Sequence, residues 1–331
     1  MLRRKLLLAS LAPAAAALSC GRSHAPSKRT VLRVAPSPYL ASSPFYVGVE
    51  AGYYRDAGLD LQLMKELPSL QSIPLLASGK QDVGFVPLTT GLLNAISRGA
   101  RVRIVAAREI VSPSCALACR IYVRSAEFPN GATDIRQLRH HRISVVSTTG
   151  AWMFALDKLL ESAGMTRSDV EIRIVSANQR FAALRAGTID AIVISSIDMT
   201  PMMRAWQIAP GPSMAGVMPG FQITFLVFGA RLLDGDVRDG ALFLRAWLRG
   251  LNDFLAGKTP AFETDYARSN GLDPALIRSG CRDSYQRDGR IRLGDLSEFI
   301  AWAVARGDLQ HSMSAPGIVD TRFLDATKTI S

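Results

Sequence analysis

A short run of hydroxyl side chains stands between a predicted strand and a predicted helix. Residues 147–150, Ser-Thr-Thr-Gly, follow the apolar run 143–146, and apolar residues then recur at helical spacing as far as Gly164. A loop of this kind presents hydroxyls and free backbone N–H groups at the positive end of a helix, where anionic or strongly polar groups bind. The alternative is an ordinary helix start in which Ser147 or Thr149 caps the first turn.

One pattern occurs in both halves of the chain. Residues 76–82, Leu-Ala-Ser-Gly-Lys-Gln-Asp, and residues 184–190, Leu-Arg-Ala-Gly-Thr-Ile-Asp, each predict the end of a helix, a Gly C-cap, an Asp and then a buried strand. A short apolar strand with a polar loop precedes each copy at a similar distance, at residues 32–39 and 143–150. Two lobes built on one plan explain this two-fold repeat.

Length, composition and the order of the predicted elements indicate a globular α/β protein. The chain has 331 residues, of which 48% are hydrophobic and 20% charged, enough for a large core in one or two domains. Predicted strands and helices alternate, which favours α/β sheets with parallel strands. We expect residues 30–118 plus 220–331 to form the first lobe and residues 119–219 the second.

The net charge of +11 comes from scattered basic residues without a nucleic-acid-binding motif, so we predict no nucleic-acid partner.

The N-terminus has the features of a secretory signal peptide. Basic residues precede an apolar segment, 6–18, that is too short to span a membrane comfortably. The sequence Ala-Leu-Ser-Cys at 17–20 resembles a bacterial lipoprotein processing site. We therefore predict removal of residues 1–19, lipidation of Cys20 and a polar tether at 20–29, with the protein in the periplasm and anchored to the membrane. Ordinary cleavage at the same point without a lipid is the alternative.

The cysteines and histidines form no recognisable metal or catalytic set. Cys115 and Cys119 are not spaced as zinc ligands and have no His nearby. In an extended chain they are too far apart for a disulfide, so we expect buried thiols at Cys115, Cys119 and Cys281; a turn between the first two would allow a bridge. No His joins a Ser/His/Asp arrangement. The sequence predicts no catalytic residue, metal or cofactor, and hence a protein that is not an enzyme.

Several segments resemble one family of transport proteins, the periplasmic substrate-binding proteins of ABC importers, in the group that binds nitrate, sulfonates and taurine or thiamine precursors. The similar segments are 38–39, 44–54, 58–61, 77–85, 93–99, 159–164 and 183–191. The resemblance implies a two-lobed periplasmic-binding-protein type II fold, with mainly parallel sheets flanked by helices, a hinge of two crossing strands and an interlobe ligand cleft. It also implies a monomer that delivers a small molecule to an ABC permease and its ATPase.

The predicted site lies at the carboxyl ends of the strands, where α/β proteins bind ligands, and in the cleft between the lobes. The predicted ligand-binding residues are Ser37, Tyr39, Leu88, Thr89, Thr90, Arg108, Ser147, Thr148, Thr149, Gly150, Ala151, Trp152, Ser195, Ser196 and Asp198. By analogy with the family, Tyr39 would contact the ligand, and Thr89 and Thr90 would donate from the first lobe. The hydroxyls and amides of residues 147–151 would hold a polar or anionic group from the second.

Two ligand classes remain open. The hydroxyl-rich loops and Arg108 favour an anion such as an alkanesulfonate, taurine or nitrate, although Arg108 is equally suited to a solvated or lobe-bridging position. Tyr39 with Trp152 would suit an aromatic heterocycle such as a thiamine-pyrimidine precursor, although helical spacing favours a core position for Trp152. Many relatives carry an acidic residue and Pro where this chain has Ser196 and Ile197.

The predicted function is that of a solute-binding lipoprotein that closes on its ligand by a hinge motion. One alternative is a ligand-sensing module that presents its closed lobes to a receptor. Another is a biosynthetic enzyme on the same fold. The chain lacks the Cys cluster of the pyrimidine-forming enzymes of this fold, and a secretion signal argues against a biosynthetic role.

Overall fold

The computed structural model describes residues 29–64, 71–115, 119–176, 179–193, 203–309 and 313–330. The strands are β1 (Thr30–Ala35), β2 (Leu59–Leu63), β3 (Val83–Pro87), β4 (Val102–Ala107), β5 (Arg120–Arg124), β6 (Arg142–Val145), β7 (Glu171–Ile174), β8 (Ala191–Val193), β9 (Ile208–Ser213) and β10 (Thr224–Gly229). The helices are α1 (Ser43–Glu50), α2 (Tyr53–Asp56), α3 (Ser72–Ala77), α4 (Thr90–Ser97), α5 (Ala151–Ser162), α6 (Arg180–Arg185), α7 (Met203–Trp206), α8 (Ala230–Asp234), α9 (Val237–Leu255), α10 (Ala261–Ser269), α11 (Pro274–Arg278), α12 (Leu293–Ala305) and α13 (Arg322–Ala326).

The strands form two five-stranded sheets, ordered β2-β1-β3-β10-β4 and β7-β6-β8-β5-β9. In each sheet the first three strands are parallel, as the alternation of strands and helices predicts. β10 and β5 run antiparallel to their neighbours, because each enters its sheet directly after the chain has crossed from the other one. The molecule is therefore a two-lobed α/β protein, and the predicted fold class is confirmed.

The sequence pattern did not reveal β9, whose residues are Ile-Ala-Pro-Gly-Pro-Ser. Two prolines remove two donors from the strand, and β9 tolerates the loss because it is an edge strand. A Cβ on Gly211 would lie 2.8 Å from the carbonyl oxygen of Ile121 on β5, so only glycine allows the two strands to approach this closely.

The core of the first lobe depends on a close helix crossing. A Cβ added to Gly250 on α9 would lie 2.5 Å from the carbonyl oxygen of Pro44 on α1. The two helices therefore touch through their backbones, and buried aromatic side chains such as Phe45 and Trp247 pack around the crossing. This contact positions α1, and the loop before it buries Leu40 against Tyr122 of the second sheet.

The first copy of the sequence repeat ends in a buried carboxylate. Gly79 has φ of +68° and terminates α3, as a Gly C-cap requires. Asp82 is fully buried and accepts hydrogen bonds from the Arg33 backbone N–H (2.8 Å), Nε (3.1 Å) and Nη2 (2.8 Å). Arg231, which follows β10, approaches the same carboxylate at 3.6 Å. Asp82 thereby joins β1, β3 and the end of β10.

The second copy has the same arrangement. Gly187 has φ of +69°. Asp190 accepts from the Arg142 backbone N–H (2.9 Å), Nε (2.9 Å) and Nη2 (2.7 Å), and Arg124 lies 3.7 Å away. Burial raises the pKa of Asp190, but the hydrogen bonds from Arg142 outweigh it and hold that pKa below its ordinary value. The two-fold repeat inferred from sequence is confirmed at the level of individual hydrogen bonds.

The prediction of three buried thiols is wrong for two of them. Cys115 and Cys281 form a disulfide, with Cα atoms 5.7 Å apart and a sequence separation of 166. Local spacing could not reveal a bridge between segments that only the tertiary fold brings together. Cys119 is a buried thiol, as expected, and burial raises its pKa to about 12.

The predicted signal peptide and Cys20, together with residues 20–28 of the tether, lie outside the described residues. Within the described ranges, no helix has both the length and the apolar character needed to cross a bilayer.

Candidate functional site

Two antiparallel segments connect the lobes. The Ile223 N–H donates to the Glu109 carbonyl (3.0 Å) and the Val111 N–H donates to the Phe221 carbonyl (2.8 Å). Beside them, the Thr224 hydroxyl donates to the Glu109 carboxylate at 2.7 Å in a buried position. A pair of extended segments bends more easily than a broad packed interface, so this region is suited to act as a hinge.

The loop after β3 and the loop after β6 meet across the lobes. The Thr90 N–H donates to the Thr149 carbonyl, and the Ala151 N–H donates to the Leu88 carbonyl, both at 2.9 Å. Thr89 and Gly150 face each other here, and a Cβ on Gly150 would lie 3.3 Å from the Thr89 methyl carbon. The structure therefore brings these predicted residues together. The Ala151 N–H, predicted to bind the ligand, instead bonds the Leu88 carbonyl of the first lobe.

The helix start at α5 has no side-chain cap. Gly150 is the N-cap residue, and neither Ser147 nor Thr149 bonds the first turn, contrary to the capping alternative. The Ser147 Oγ instead accepts from the Thr149 N–H at 3.2 Å and lies 3.1 Å from its Oγ1. Ser147, Thr148 and Thr149 are half-buried and close the carboxyl end of β6. Trp152 is half-buried and packs against the core, where helical spacing placed it.

Other predicted residues have structural contacts. Thr89 caps α4 by accepting the Leu92 N–H at 3.2 Å. Arg108 is 2% exposed, donates through Nη2 to the Ala41 carbonyl (2.6 Å) and lies 4.5 Å from the centre of the Phe85 ring. Arg108 therefore holds the loop between β1 and α1 from inside the first lobe.

Of the residues predicted after β1, Ser37 is buried and Tyr39 is half-buried. Ser195, Ser196 and Asp198 fall on residues 194–202, outside the described ranges.

Arg180, the first residue of α6, is not among the residues predicted from the sequence. Its Nη1 donates to the carbonyl of Val193, the last residue of β8, at 3.3 Å, and its Nε is buried without a hydrogen-bond partner. The residue as a whole is half-buried, and its Nε is enclosed. Burial lowers the pKa of Arg180, which nevertheless remains a cation at physiological pH. No carboxylate in the described segments lies within ion-pair distance of it.

Two tyrosines from outside the second sheet lie within electrostatic range of this guanidinium. Tyr39 comes from the loop after β1 in the first lobe, and Tyr266 comes from α10; both interact electrostatically with Arg180. Burial raises the pKa of each phenol, so both remain neutral hydrogen-bond donors. Arg180 bonds the last residue of β8, and β8 neighbours β6, whose carboxyl end leads into the 147–150 loop. The arrangement can neutralise an anion and surround it with hydroxyl donors.

A signal for Arg180 does exist in the sequence. A cation in the first turn of a helix opposes the helix dipole, and α6 begins with Arg180. Such a placement points to a task other than helix stability. Among the described residues, His, Cys, Asp and Glu form no group of three or more that could hold a metal ion.

Similar folds occur in binding proteins and in an enzyme. The sulfonate-binding protein SsuA of Methylobacillus flagellatus KT has a TM-score of 0.65 at 16% identity, over 91% of this chain and 94% of that chain. The nitrate-binding protein NrtA of Synechocystis PCC 6803 has a TM-score of 0.70 at 12% identity, over 91% and 89%. The desulfurization enzyme DszB has a TM-score of 0.58 at 14% identity, over 91% and 99%. These likenesses show the two-lobed fold.

Sequence similarity places the chain in a family. No curated protein matches it at a significant level. The family model described as NMT1/THI5 like matches residues 40–211, more than half of the chain, and covers the loops after β3 and β6 as well as Arg180. The chain belongs to the NMT1/THI5-like family.

Proposed function

We propose that this protein is the extracytoplasmic solute-binding component of an ABC importer, and that it closes its two lobes around a small anionic ligand. The guanidinium of Arg180, whose Nε is buried without a hydrogen-bond partner, carries this proposal. No carboxylate in the described segments lies within ion-pair distance of it, and Tyr39 of the first lobe and Tyr266 of α10 interact with it electrostatically.

The energetics favour an anion over a neutral ligand. Removing a guanidinium from water without a counter-charge is unfavourable, because the one hydrogen bond to the Val193 carbonyl replaces only part of the lost hydration. An anion that binds Arg180 compensates for this cost only when both lobes surround it. The ligand therefore binds the closed state more tightly than the open one, and that difference in affinity drives hinge closure.

The fold comparisons support this choice of ligand class. The names of two neighbours, a sulfonate-binding protein and a nitrate-binding protein, specify anions. We extend the proposal to an alkanesulfonate, taurine or nitrate as the ligand, to an ABC permease with its ATPase as partners, and to a monomer in the periplasm. Lipidation of Cys20 would hold that monomer at the membrane.

Within the site, we propose that Arg180 binds the anion directly, and that Tyr39 and the hydroxyls of Ser147, Thr148 and Thr149 donate to it. Thr89, Thr90 and Ala151 form the wall where the lobes touch, and Arg108 positions the loop that carries Tyr39. Ser195, Ser196 and Asp198 follow β8 in sequence and remain among the proposed ligand-binding residues.

A binding role needs no nucleophile. Cys119, the free thiol among the described cysteines, is buried, and its raised pKa of about 12 keeps it protonated. A protonated, enclosed thiol is a poor nucleophile, which supports a protein that binds its ligand without covalent chemistry.

Thermal unfolding of the purified protein with a ligand panel tests the function. The panel contains nitrate, taurine, ethanesulfonate, benzenesulfonate and acetate, with ethyl methyl sulfone as a neutral molecule of similar shape to ethanesulfonate. An anion at 100 times its dissociation constant should add about 2.7 kcal/mol to the free energy of unfolding, while the sulfone should add nothing. If no anion stabilises a protein that native mass spectrometry shows to be empty, the proposal is wrong.

A further inference from the structure

A C-terminal segment closes the site from a third side. Residues 258–282, here called the arm, contain α10 and α11 and leave the first lobe after α9. Arg282 closes the base of the arm by donating to the carbonyls of Phe254 (2.9 Å) and Lys258 (3.0 Å). The Phe262 ring stacks on Tyr46 of α1, with ring centres 4.3 Å apart, and the Cys115–Cys281 disulfide fastens the end of the arm to the segment before β5.

The far side of the arm packs against the second lobe. Ala267, Leu272 and Ile277 are buried in one apolar cluster with residues of the second sheet and its helices. The residues they join include Leu184 of α6, Ile192 of β8 and Trp206 of α7. The arm therefore spans the mouth between the lobes directly beside Arg180, and the family match, which ends at residue 211, does not include it.

The walls around Arg180 are aromatic. Tyr39 and Tyr266 interact with the guanidinium and with each other. The Arg180 guanidinium carbon lies 5.5 Å from the centre of the Phe181 ring, which packs at 4.0 Å from the Trp206 ring. Tyr266, Phe181 and Trp206 pack in one apolar cluster, so aromatic rings lie beside this cation.

From this arrangement we infer that the arm makes the site selective for an anionic group carried on an aromatic ring, such as an arenesulfonate or an aromatic carboxylate. The inference rests on the proposed function and deepens it. Arg180 binds the anionic group, and the rings of Tyr39 and Tyr266 contact the faces and edges of the ligand ring. An aliphatic anion satisfies Arg180 equally well but leaves both tyrosine rings without a flat partner.

Titration calorimetry with two ligands tests the inference, because benzenesulfonate and ethanesulfonate share the anionic group and differ in the ring. The wild-type protein should bind benzenesulfonate at least about 10-fold more tightly, from ring contacts with two tyrosines. Tyr266→Leu should remove this preference by weakening benzenesulfonate about 10-fold while changing ethanesulfonate less than about 3-fold. Tyr266→Phe keeps the ring and should keep the preference.

Tyr53→Leu is the matched control, because Tyr53 lies on α2 and interacts with Arg249 and Asp253 instead of the site. It should leave both affinities unchanged. Equal binding of the two sulfonates by the wild type, or an equal loss for both in Tyr266→Leu, would overturn the inference and leave the anion-binding function intact. Binding of neither sulfonate nor any other anion would overturn both.

Discussion

Replacing Asp82 by Asn should lower the free energy of unfolding by about 3 kcal/mol. Asp82 is fully buried and accepts three hydrogen bonds from Arg33, with Arg231 nearby. The amide keeps the size of the side chain but removes its charge, so it leaves two arginines without a counter-charge. Chemical denaturation followed by circular dichroism measures the change.

Asp60→Asn provides the control for this substitution. Asp60 is exposed on β2, so its replacement changes the net charge by the same amount without breaking a buried pair. It should alter stability by less than about 0.5 kcal/mol. A stability of Asp82→Asn equal to that of Asp60→Asn would contradict the role of Asp82 as the link between the strands of the first sheet.

Asp190 should behave in the same way in the second lobe, and its pH dependence has a definite sign. The folded-state pKa of Asp190 is lowered, so its stabilising contribution is complete above the ordinary Asp pKa of about 3.9 and is lost as the pH falls through the lower folded value. Asp190→Asn should therefore be less stable than the wild type near neutral pH, and the difference should shrink in acid.

Removing the Cys115–Cys281 disulfide has the second large expected effect. The bridge closes a loop of 166 residues, and the double variant Cys115→Ser, Cys281→Ser should lose about 2–5 kcal/mol of unfolding free energy because the unfolded chain gains conformational freedom. The same bridge joins the arm to the segment that leads from the hinge into β5. The double variant should therefore also release ligand faster.

The reductant provides the control for the disulfide. Dithiothreitol should destabilise the wild type and leave the double variant unchanged, since Cys119 is a buried thiol in both. Equal unfolding free energies for the oxidised wild type and the double variant would contradict a stabilising bridge.

Local patterns were sufficient for the parts of the fold that local interactions determine. The Gly-Asp pattern predicted a C-cap and a buried carboxylate in each lobe. Both copies need a glycine at the positive φ that ends the helix and an Asp that accepts hydrogen bonds from an arginine on the neighbouring strand. The helix before Gly164 also followed from apolar spacing, and Gly164 has φ of +67°. The two-lobed α/β fold follows from these elements and their order.

Features that depend on distant segments could not be predicted in this way. The partner of Cys115 is 166 residues away, and β9 forms despite two prolines because its position at the edge of the sheet tolerates them. Tyr266, which interacts electrostatically with Arg180, comes from α10 in the C-terminal part of the chain. The sequence suggested Arg108 as the residue that neutralises the anion, but its guanidinium points into the first lobe and donates to the Ala41 carbonyl.

Whether Arg180 holds the anion can be measured by titration calorimetry of Arg180→Gln with the most stabilising anion. Arg185→Gln is the matched control, because Arg185 lies on the same helix with an exposed side chain. We expect Arg180→Gln to weaken binding by roughly 100-fold and Arg185→Gln to leave it unchanged. Without ligand, Arg180→Gln should unfold at the same temperature as the wild type or a higher one, because it removes an unpaired buried charge. An unchanged dissociation constant in Arg180→Gln would contradict the account of an anion held by Arg180 between the lobes.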